Sequence, residues 1–369
     1  MIAPGTPIEA LDTPCLLVDL DRMEANIQRW QATISTSGVD LRPHVKTHKS
    51  PELAQLQLAA GAAGITVAKV AEAEVFAAHG CRDIFVAYPV VGGEKWRRAA
   101  ALAQSCRLIV GVDSAAGARG LSAAAVAAGA TILVRVEIDT GLNRSGIAPG
   151  QAVELCRQIL QLPGLDLDGI FTFRGGSFPG SAGRSVADLG REEGELMVAL
   201  AEELRSAGIP IRSISVGSTP TARAAAQAPG ITEVRPGTYI FSDYMQAEAG
   251  NVSYDDVALS ILCTVVSRPA PDKATVDGGS KTFSGDIVPE RLKLKGYARA
   301  VGMEAYVESM SEEHGVVRLG PGADMQVGDR VAFYPIHVCP TVNLSDELIG
   351  VRNGVVERVW PILARGKRT

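Results

Sequence analysis

Three short stretches of the chain carry residue types that can do chemistry together. The first is Arg42-Pro43-His44-Val45-Lys46-Thr47-His48-Lys49. A lysine partly desolvated among cationic neighbours has a lowered pKa and forms an imine with a carbonyl carbon. The same residues would also make an ordinary solvated basic loop. The second is a pair of loops, Gly217-Ser218-Thr219-Pro220-Thr221 and Arg235-Pro236-Gly237-Thr238-Tyr239. Backbone N–H groups and hydroxyls of this kind cradle a phosphate, although the same types build plain turns and helix caps. The third is Pro335-Ile336-His337-Val338-Cys339-Pro340-Thr341-Val342-Asn343. Read as extended chain, it puts His337 and Cys339 on one face. An imidazole and a thiolate favour zinc over magnesium or calcium, and two protein ligands leave positions open for water or substrate. The structural alternative is a buried strand cysteine beside a satisfied histidine. Two weaker candidates are Arg144, a donor to an anionic oxygen or a surface ion-pair member, and the charged turn Glu312-Glu313-His314-Gly315.

These residues need a scaffold. Between about residues 40 and 240, short β-branched runs alternate with Ala-rich helical stretches. The runs are Leu41–Val45, Gly64–Ala68, Asp83–Ala87, Arg107–Val112, Thr131–Ile138, Leu167–Thr172, Arg212–Val216 and Ile231–Arg235. Ser50-Pro51-Glu52 predicts a capped helix start, and Thr219–Gln227 and Arg184–Ala207 predict helices. Eight strands with helical crossovers predict an α/β fold, a closed (β/α)8 TIM-type barrel, with a doubly wound open sheet as the alternative. In the barrel, Lys46 falls at the C-terminal end of the first strand. Arg144 follows the fifth strand, and the two glycine loops follow the seventh and eighth. That end is where catalytic groups and the phosphate pocket of such barrels collect. After about residue 250 the texture turns to alternating β runs separated by Asp277-Gly278-Gly279, Gly320-Pro321-Gly322 and Asn353-Gly354. A C-terminal, mainly antiparallel β domain is predicted, with Cys15–Asp19 pairing into it. The expected division is 20–245 for the barrel, and 1–19 with 246–369 for the β domain.

Composition narrows the function classes. Hydrophobic residues make up 46% and charged residues 21%, enough for a large core and against global disorder. The net charge is −5 and no basic block occurs, so nucleic acid is not an expected partner. No apolar run approaches the roughly 18 residues of a membrane span. The start, Met1-Ile2-Ala3-Pro4-Gly5, lacks a charged region before an apolar one. The 6 cysteines are scattered, which suits a reduced, cytoplasmic protein acting on a small molecule.

Taken together, Arg42–Lys49, Asp139–Gly146, Gly217–Thr221, Arg235–Asp243, Ser311–Gly315 and His337–Asn343 resemble the D-threonine aldolase / D-serine dehydratase family, over nearly the whole chain and in the family order. That family has the alanine-racemase-like fold of pyridoxal-phosphate enzymes. The resemblance implies that Lys46 is the Schiff-base lysine and that Arg144 lies near the cofactor's phenolic oxygen. It implies that Gly217, Ser218, Thr219, Gly237, Thr238 and Tyr239 surround the cofactor, mostly at its phosphate. Arg235 matches the arginine facing the pyridine nitrogen in alanine racemases, a position often not arginine in aldolases. His337 and Cys339 match the zinc pair of the dehydratase branch. Aldolase members tend to carry a carboxylate second, which suits manganese or magnesium.

The implied activity is a lyase on D-β-hydroxy amino acids. A D-serine dehydratase-like elimination to a 2-oxo acid and ammonia comes first. A D-threonine aldolase-like cleavage to glycine and an aldehyde is the alternative. A racemase is a further alternative, for which Tyr297, Tyr306 or Tyr334 is available as second acid/base. A non-catalytic cofactor carrier fits less well, because such carriers look like a lone barrel. A homodimer is implied, each site closed by the partner's β domain. One stretch departs from the pattern. Phe173 stands where many relatives place tyrosine or histidine, and beside it Arg174 either receives a second acidic group of the substrate or is structural.

Overall fold

The computed structural model describes residues 2–176, 181–286 and 294–369. Met1, the first residue of the expected β domain, lies outside them. The chain divides into two compact units. One comprises 1–28, 47–50 and 238–365, and the other 29–46, 51–237 and 366–369. These boundaries differ from the expected 19/20 and 245/246. They move residues 47–50 out of the unit that holds Lys46.

The first strand, β1 (Cys15–Asp19), belongs to the first of these units. The second unit holds β2 (Asp40–Leu41), β3 (Ile65–Val67), β4 (Asp83–Pro89), β5 (Arg107–Val112), β6 (Ile132–Glu137), β7 (Leu165–Phe171), β8 (Ser213–Val216) and β9 (Glu233–Val234). All pair in parallel, in the order β2-β9-β8-β7-β6-β5-β4-β3. A parallel bridge from His44 to Thr66, beside the bond from Thr66 N–H to the Pro43 carbonyl (2.8 Å), joins the continuation of β2 to β3 and closes the ring. This is the barrel and not the open sheet. Its strands are near-continuous apolar runs because helices cover the outside and side chains fill the inside.

The outer helices include Val70–Ala78, Ala115–Ala128 and Val186–Ser206. Ser114 and Ser185 cap the latter two by accepting from Gly117 N–H and Asp188 N–H. Ser50 makes no such cap. Its buried hydroxyl has no hydrogen-bond partner, and its own N–H donates to His48 Nδ1 (3.2 Å).

The barrel interior carries a layer of paired charges. Arg135 Nη1 meets Glu233 Oε1 at 2.6 Å and Arg135 Nε meets Asp168 Oδ2 at 2.7 Å. Arg42 Nε meets Glu233 Oε2 at 2.5 Å, and Arg42 Nη1 meets Asp83 Oδ1 at 2.6 Å. β6 and β9 are not neighbours in the sheet, so the Arg135–Glu233 pair spans the ring. Such charges are tolerated inside a protein only when matched and hydrogen-bonded.

The first unit continues with β10 (Leu259–Ala270), β11 (Lys273–Val276), β12 (Ala298–Ala300), β13 (Ala305–Met310), β14 (Gly315–Leu319), β15 (Arg330–Pro335), β16 (Glu347–Arg352) and β17 (Val355–Pro361). Their order is β11-β14-β13-β12-β15-β10-β1-β16-β17, and an added β10–β11 pairing closes six of them into an antiparallel barrel. β1 pairs antiparallel with β10 and parallel with β16, so Cys15–Asp19 joins the β domain as the sequence predicts. Among the described residues no helix is long and apolar enough to cross a membrane.

Candidate active site

At the C-terminal end of the parallel strands, a cavity of about 590 Å3 is lined by Lys46, Arg144 and Arg235 together with His44, Asp113, Glu137 and Phe173. Lys46 is half-buried there. It does not sit on a strand end as expected. β2 stops at Leu41, and Lys46 lies in the single 3-10 turn Val45–Thr47. Its Nζ lies 5.7 Å from the centre of the Phe173 ring, and Arg144 Cζ lies 4.8 Å from the same ring. Phe173 thus offers an aromatic face to two cations, where a tyrosine or histidine would offer a hydrogen bond.

Arg144 is carried by a loop built from its own sequence. Asp139 Oδ1 accepts from Gly141 N–H and Asn143 N–H (2.9 and 3.1 Å), and Asn143 takes a left-handed φ of 56°. The loop closes through Ile147 N–H to the Glu137 carbonyl at 3.0 Å. Gly146, at φ 93°, lets it close, because a Cβ there would come within 2.8 Å of Asp139 N. Below it, Glu137 Oε1 accepts from the Ser145 hydroxyl at 2.8 Å, while its buried Oε2 has no hydrogen-bond partner. Burial pushes the Glu137 carboxyl above the usual carboxylate range, with Ser145 and Arg144 opposing.

Arg235 is buried two residues beyond Glu233. It donates to Ser215 Oγ (2.6 Å) and to the Thr172 carbonyl (2.5 Å). Burial pulls its guanidinium down to about 10, with Glu233 opposing, so it stays charged at neutral pH.

The two glycine loops follow β8 and β9, which are neighbours in the ring. Gly237 N–H donates to Thr219 Oγ1 at 3.1 Å and so joins them. Ser218 N–H and Oγ both meet Thr221 Oγ1 (3.1 and 3.0 Å), which donates to Glu193 Oε2 at 3.0 Å. Gly217, at φ 82°, lets the chain turn, since a Cβ would lie 2.9 Å from Ala222 Cα. Gly217, Ser218, Thr219 and Gly237 lie outside the lining of the cavity. The expected helix Thr219–Gln227 is only Ala222–Ala225, so little helix dipole points at this loop. Thr238 and Tyr239, next along the chain, belong to the other unit. There Tyr239 is buried, and the buried Thr238 Oγ1 has no hydrogen-bond partner.

Arg174 does not line the cavity. It pairs with Glu192 (3.2 Å), and its N–H donates to Glu193 Oε1 (3.2 Å), which supports the structural of its two expected roles.

In the β unit the expected extended geometry of His337-Val338-Cys339 is wrong. His337 occupies the N-cap position of a short helix, Val338–Asn343, without a side-chain capping bond, and Cys339 stands in its first turn. Pro340 explains the switch, because proline is tolerated in a first helical turn and has no N–H to give a strand ladder. The two side chains nonetheless come within hydrogen-bonding reach of one another. His337 Nδ1 also bonds Asp286 Oδ2, and the Thr47 hydroxyl lies 3.3 Å from Cys339 Sγ. No cluster of three or more His, Cys, Asp or Glu occurs among the described residues. Glu312-Glu313-His314 is an exposed hairpin turn, with Glu313 paired to Lys281 at 2.7 Å. Of the tyrosines weighed as a second acid/base, Tyr334 is buried, stacked on Tyr254, with its hydroxyl accepting from Arg22.

Sequence reasoning passed over Glu137, Asp113, Asp286 and Thr47. A carboxylate ending a barrel strand was a usable signal for Glu137. Nothing local marks Asp286.

Residues 18–245 match the family description "Alanine racemase, N-terminal domain", and residues 258–351 match a serine dehydratase domain. A D-threonine aldolase from Arthrobacter sp is 37% identical over 98% of this chain and 95% of its own. A D-threo-3-hydroxyaspartate dehydratase from Delftia sp. (strain HT23) is 38% identical over 90% of this chain and 92% of its own. A cysteine-to-alanine mutant of a D-threo-3-hydroxyaspartate dehydratase, solved in the metal-free form, superposes with a TM-score of 0.86 at 34% identity, covering 96% of this chain and 98% of that one. The crystal structure of D-threonine aldolase from Filomicrobium marinum superposes with a TM-score of 0.89 at 32% identity, covering 100% and 99%. The chain therefore belongs to the D-threonine aldolase / D-serine dehydratase family of lyases with the alanine-racemase-like fold, a family and fold that imply pyridoxal phosphate.

Proposed function

We propose that the chain is a pyridoxal-phosphate- and metal-dependent lyase acting on D-β-hydroxy amino acids by a D-serine dehydratase-like elimination. The observation that carries this reading is the convergence of His337 and Cys339 at one helix start. A nitrogen–sulfur donor pair suits zinc better than manganese or magnesium. The cysteine-to-alanine mutant of a D-threo-3-hydroxyaspartate dehydratase, solved in the metal-free form, supports it. Retro-aldol cleavage to glycine and an aldehyde is the second reading, favoured by the likeness to the aldolases.

The residues fit the cofactor. Lys46 offers an amine on a cavity of about 590 Å3, within the size range of small-molecule sites. Arg235 supplies a fixed, buried cation. Thr238 Oγ1 is a buried hydroxyl that a phosphate oxygen would satisfy. Pyridoxal phosphate supplies an electron sink when bound, and a metal on His337 and Cys339 supplies a Lewis acid for a departing hydroxyl. The chain's own residues do the rest. Lys46 would hold the cofactor, and its amine, when free, would take the α-proton. Arg235, charged at neutral pH, would serve the pyridine nitrogen of the bound cofactor, and Arg144 its phenolic oxygen. Gly217, Ser218, Thr219, Gly237, Thr238 and Tyr239 would serve the cofactor, mostly at its phosphate. Loss of water and hydrolysis then give a 2-oxo acid and ammonia. We read the active molecule as a homodimer.

The test is a panel of D- and L-serine, D- and L-threonine and the 3-hydroxyaspartates, with ammonia, 2-oxo acid and aldehyde assayed together. Ammonia and 2-oxo acid from D-substrates alone are expected. Aldehyde and glycine would establish the second reading, and turnover without either would contradict both.

A further inference from the structure

We propose that Asp286 and Thr47 are positioning residues for the metal pair, Asp286 aiming the His337 ring and Thr47 holding the Cys339 sulfur. The proposal rests on the reading of His337 and Cys339 as metal ligands and goes beyond it, since it assigns work to residues that would not touch the ion.

An imidazole has two nitrogens, and a metal takes one through a free lone pair. His337 Nδ1 is already engaged by Asp286 Oδ2. A carboxylate there keeps the proton on Nδ1 and leaves Nε2 as the donor, and such outer partners orient the ring and raise its basicity. The His337 backbone is fixed as well. Its carbonyl accepts from Thr341 Oγ1 (3.0 Å), and that hydroxyl also meets the Phe283 carbonyl (2.9 Å). The next N–H, of Val338, donates to the buried Asp243 Oδ2 at 3.1 Å, and Asp243 Oδ1 accepts from Gln246 N–H at 2.9 Å. The ring is therefore left its side-chain torsions, and Asp286 is the group that sets them.

Cys339 has its counterpart in Thr47, which is fully buried and lies 3.3 Å from the sulfur. A thiolate on a metal has no proton to give, so Thr47 must be the donor. A hydroxyl donating to a metal thiolate lowers its basicity and fixes its direction. Thr47 directly follows Lys46 in the chain, so a single segment carries both the cofactor lysine and the hydroxyl that holds a metal ligand.

Cobalt(II) is the probe, because a thiolate bound to cobalt gives a sulfur-to-metal charge-transfer band that reports coordination without turnover. Full-length wild type, Asp286→Ala, Asp286→Asn, Thr47→Val and Thr47→Ser would be titrated with cobalt against a chelator. Asp286→Ala should weaken binding about 10–100-fold. Asp286→Asn, which keeps the shape, should fall between it and wild type. Thr47→Val, matched in shape, should weaken cobalt binding and shift the charge-transfer band. Thr47→Ser should restore both. A wild type that binds cobalt through sulfur while the Asp286→Ala and Thr47→Val proteins bind it equally well would overturn the positioning roles alone. A wild type with no sulfur-to-cobalt band would remove the metal reading itself.

Discussion

Lys46, Arg144 and Arg235 share one cavity with the carboxyls of Asp113 and Glu137, and the chemistry assigned to Lys46 depends on that setting. Borohydride should fix the cofactor to Lys46, and peptide mapping should find the label there. Lys46→Ala should lose both the label and the visible absorption, and a variant that kept a reducible cofactor would move the role to another lysine. Arg174 makes the opposite prediction. Its guanidinium pairs with Glu192, and its N–H is held by Glu193. Arg174→Lys should therefore leave the ratio of kcat/KM for 3-hydroxy-D-aspartate over D-serine unchanged. A selective collapse on the dicarboxylate would put Arg174 on the substrate. The residues legible in the sequence were those with a local signature, namely a lysine past the first barrel strand, glycine–hydroxyl loops and His-x-Cys. Asp286 was illegible because it reaches His337 across 51 positions of sequence, a separation no spacing rule spans.

At the scale of elements, the layer of Arg42, Arg135, Asp168 and Glu233 makes a claim about pH. Burial alone would raise the Glu233 carboxyl, but Arg135 and Arg42 outweigh it and hold it far below its ordinary range. A carboxylate depressed in the folded state stabilises it above the unfolded pKa of about 4.3, and that stabilisation drains away as pH falls further. Glu233→Gln leaves buried guanidinium charge unmatched and should cost about 3–5 kcal/mol at pH 7. It should also flatten the loss of stability between about pH 4 and 2. Urea unfolding at several pH values checks this, and an unchanged acid limb would contradict it. The barrel strands were legible because parallel strands buried on both faces read as apolar runs, each followed by an Ala-rich crossover. β2 was overread as an unbroken strand, since Pro43 has no N–H for a ladder: regular pairing stops at Leu41, and only the isolated bridge at His44 continues it. β12 has no readable signature, because Ala298-Arg299-Ala300 is too short to show a period, and β16 reads Leu348-Ile349-Gly350-Val351, an apolar run without alternation.

At the scale of the whole molecule, dimerisation is the expectation carried by the family. Sedimentation of the active enzyme should give twice the mass of the 369-residue chain, and a monomer with full activity would contradict it. The order of barrel and β domain was legible from the change in texture near residue 250. The unit boundaries were not, because residues 47–50 and 366–369 each belong with sequence-distant segments. The central claim, that a cofactor lysine and a separate nitrogen–sulfur metal pair together eliminate water from a D-amino acid, comes down to Cys339. The measurement is zinc content, visible cofactor absorption and ammonia release from D-serine for wild type and Cys339→Ala, before and after chelation and return of zinc. Wild type should hold about one zinc, since one His–Cys pair makes one site. It should lose ammonia release to the chelator and regain it with zinc. Cys339→Ala should keep the cofactor absorption yet hold no zinc and release no ammonia. A zinc-free Cys339→Ala protein that still releases ammonia at the wild-type rate would contradict the account.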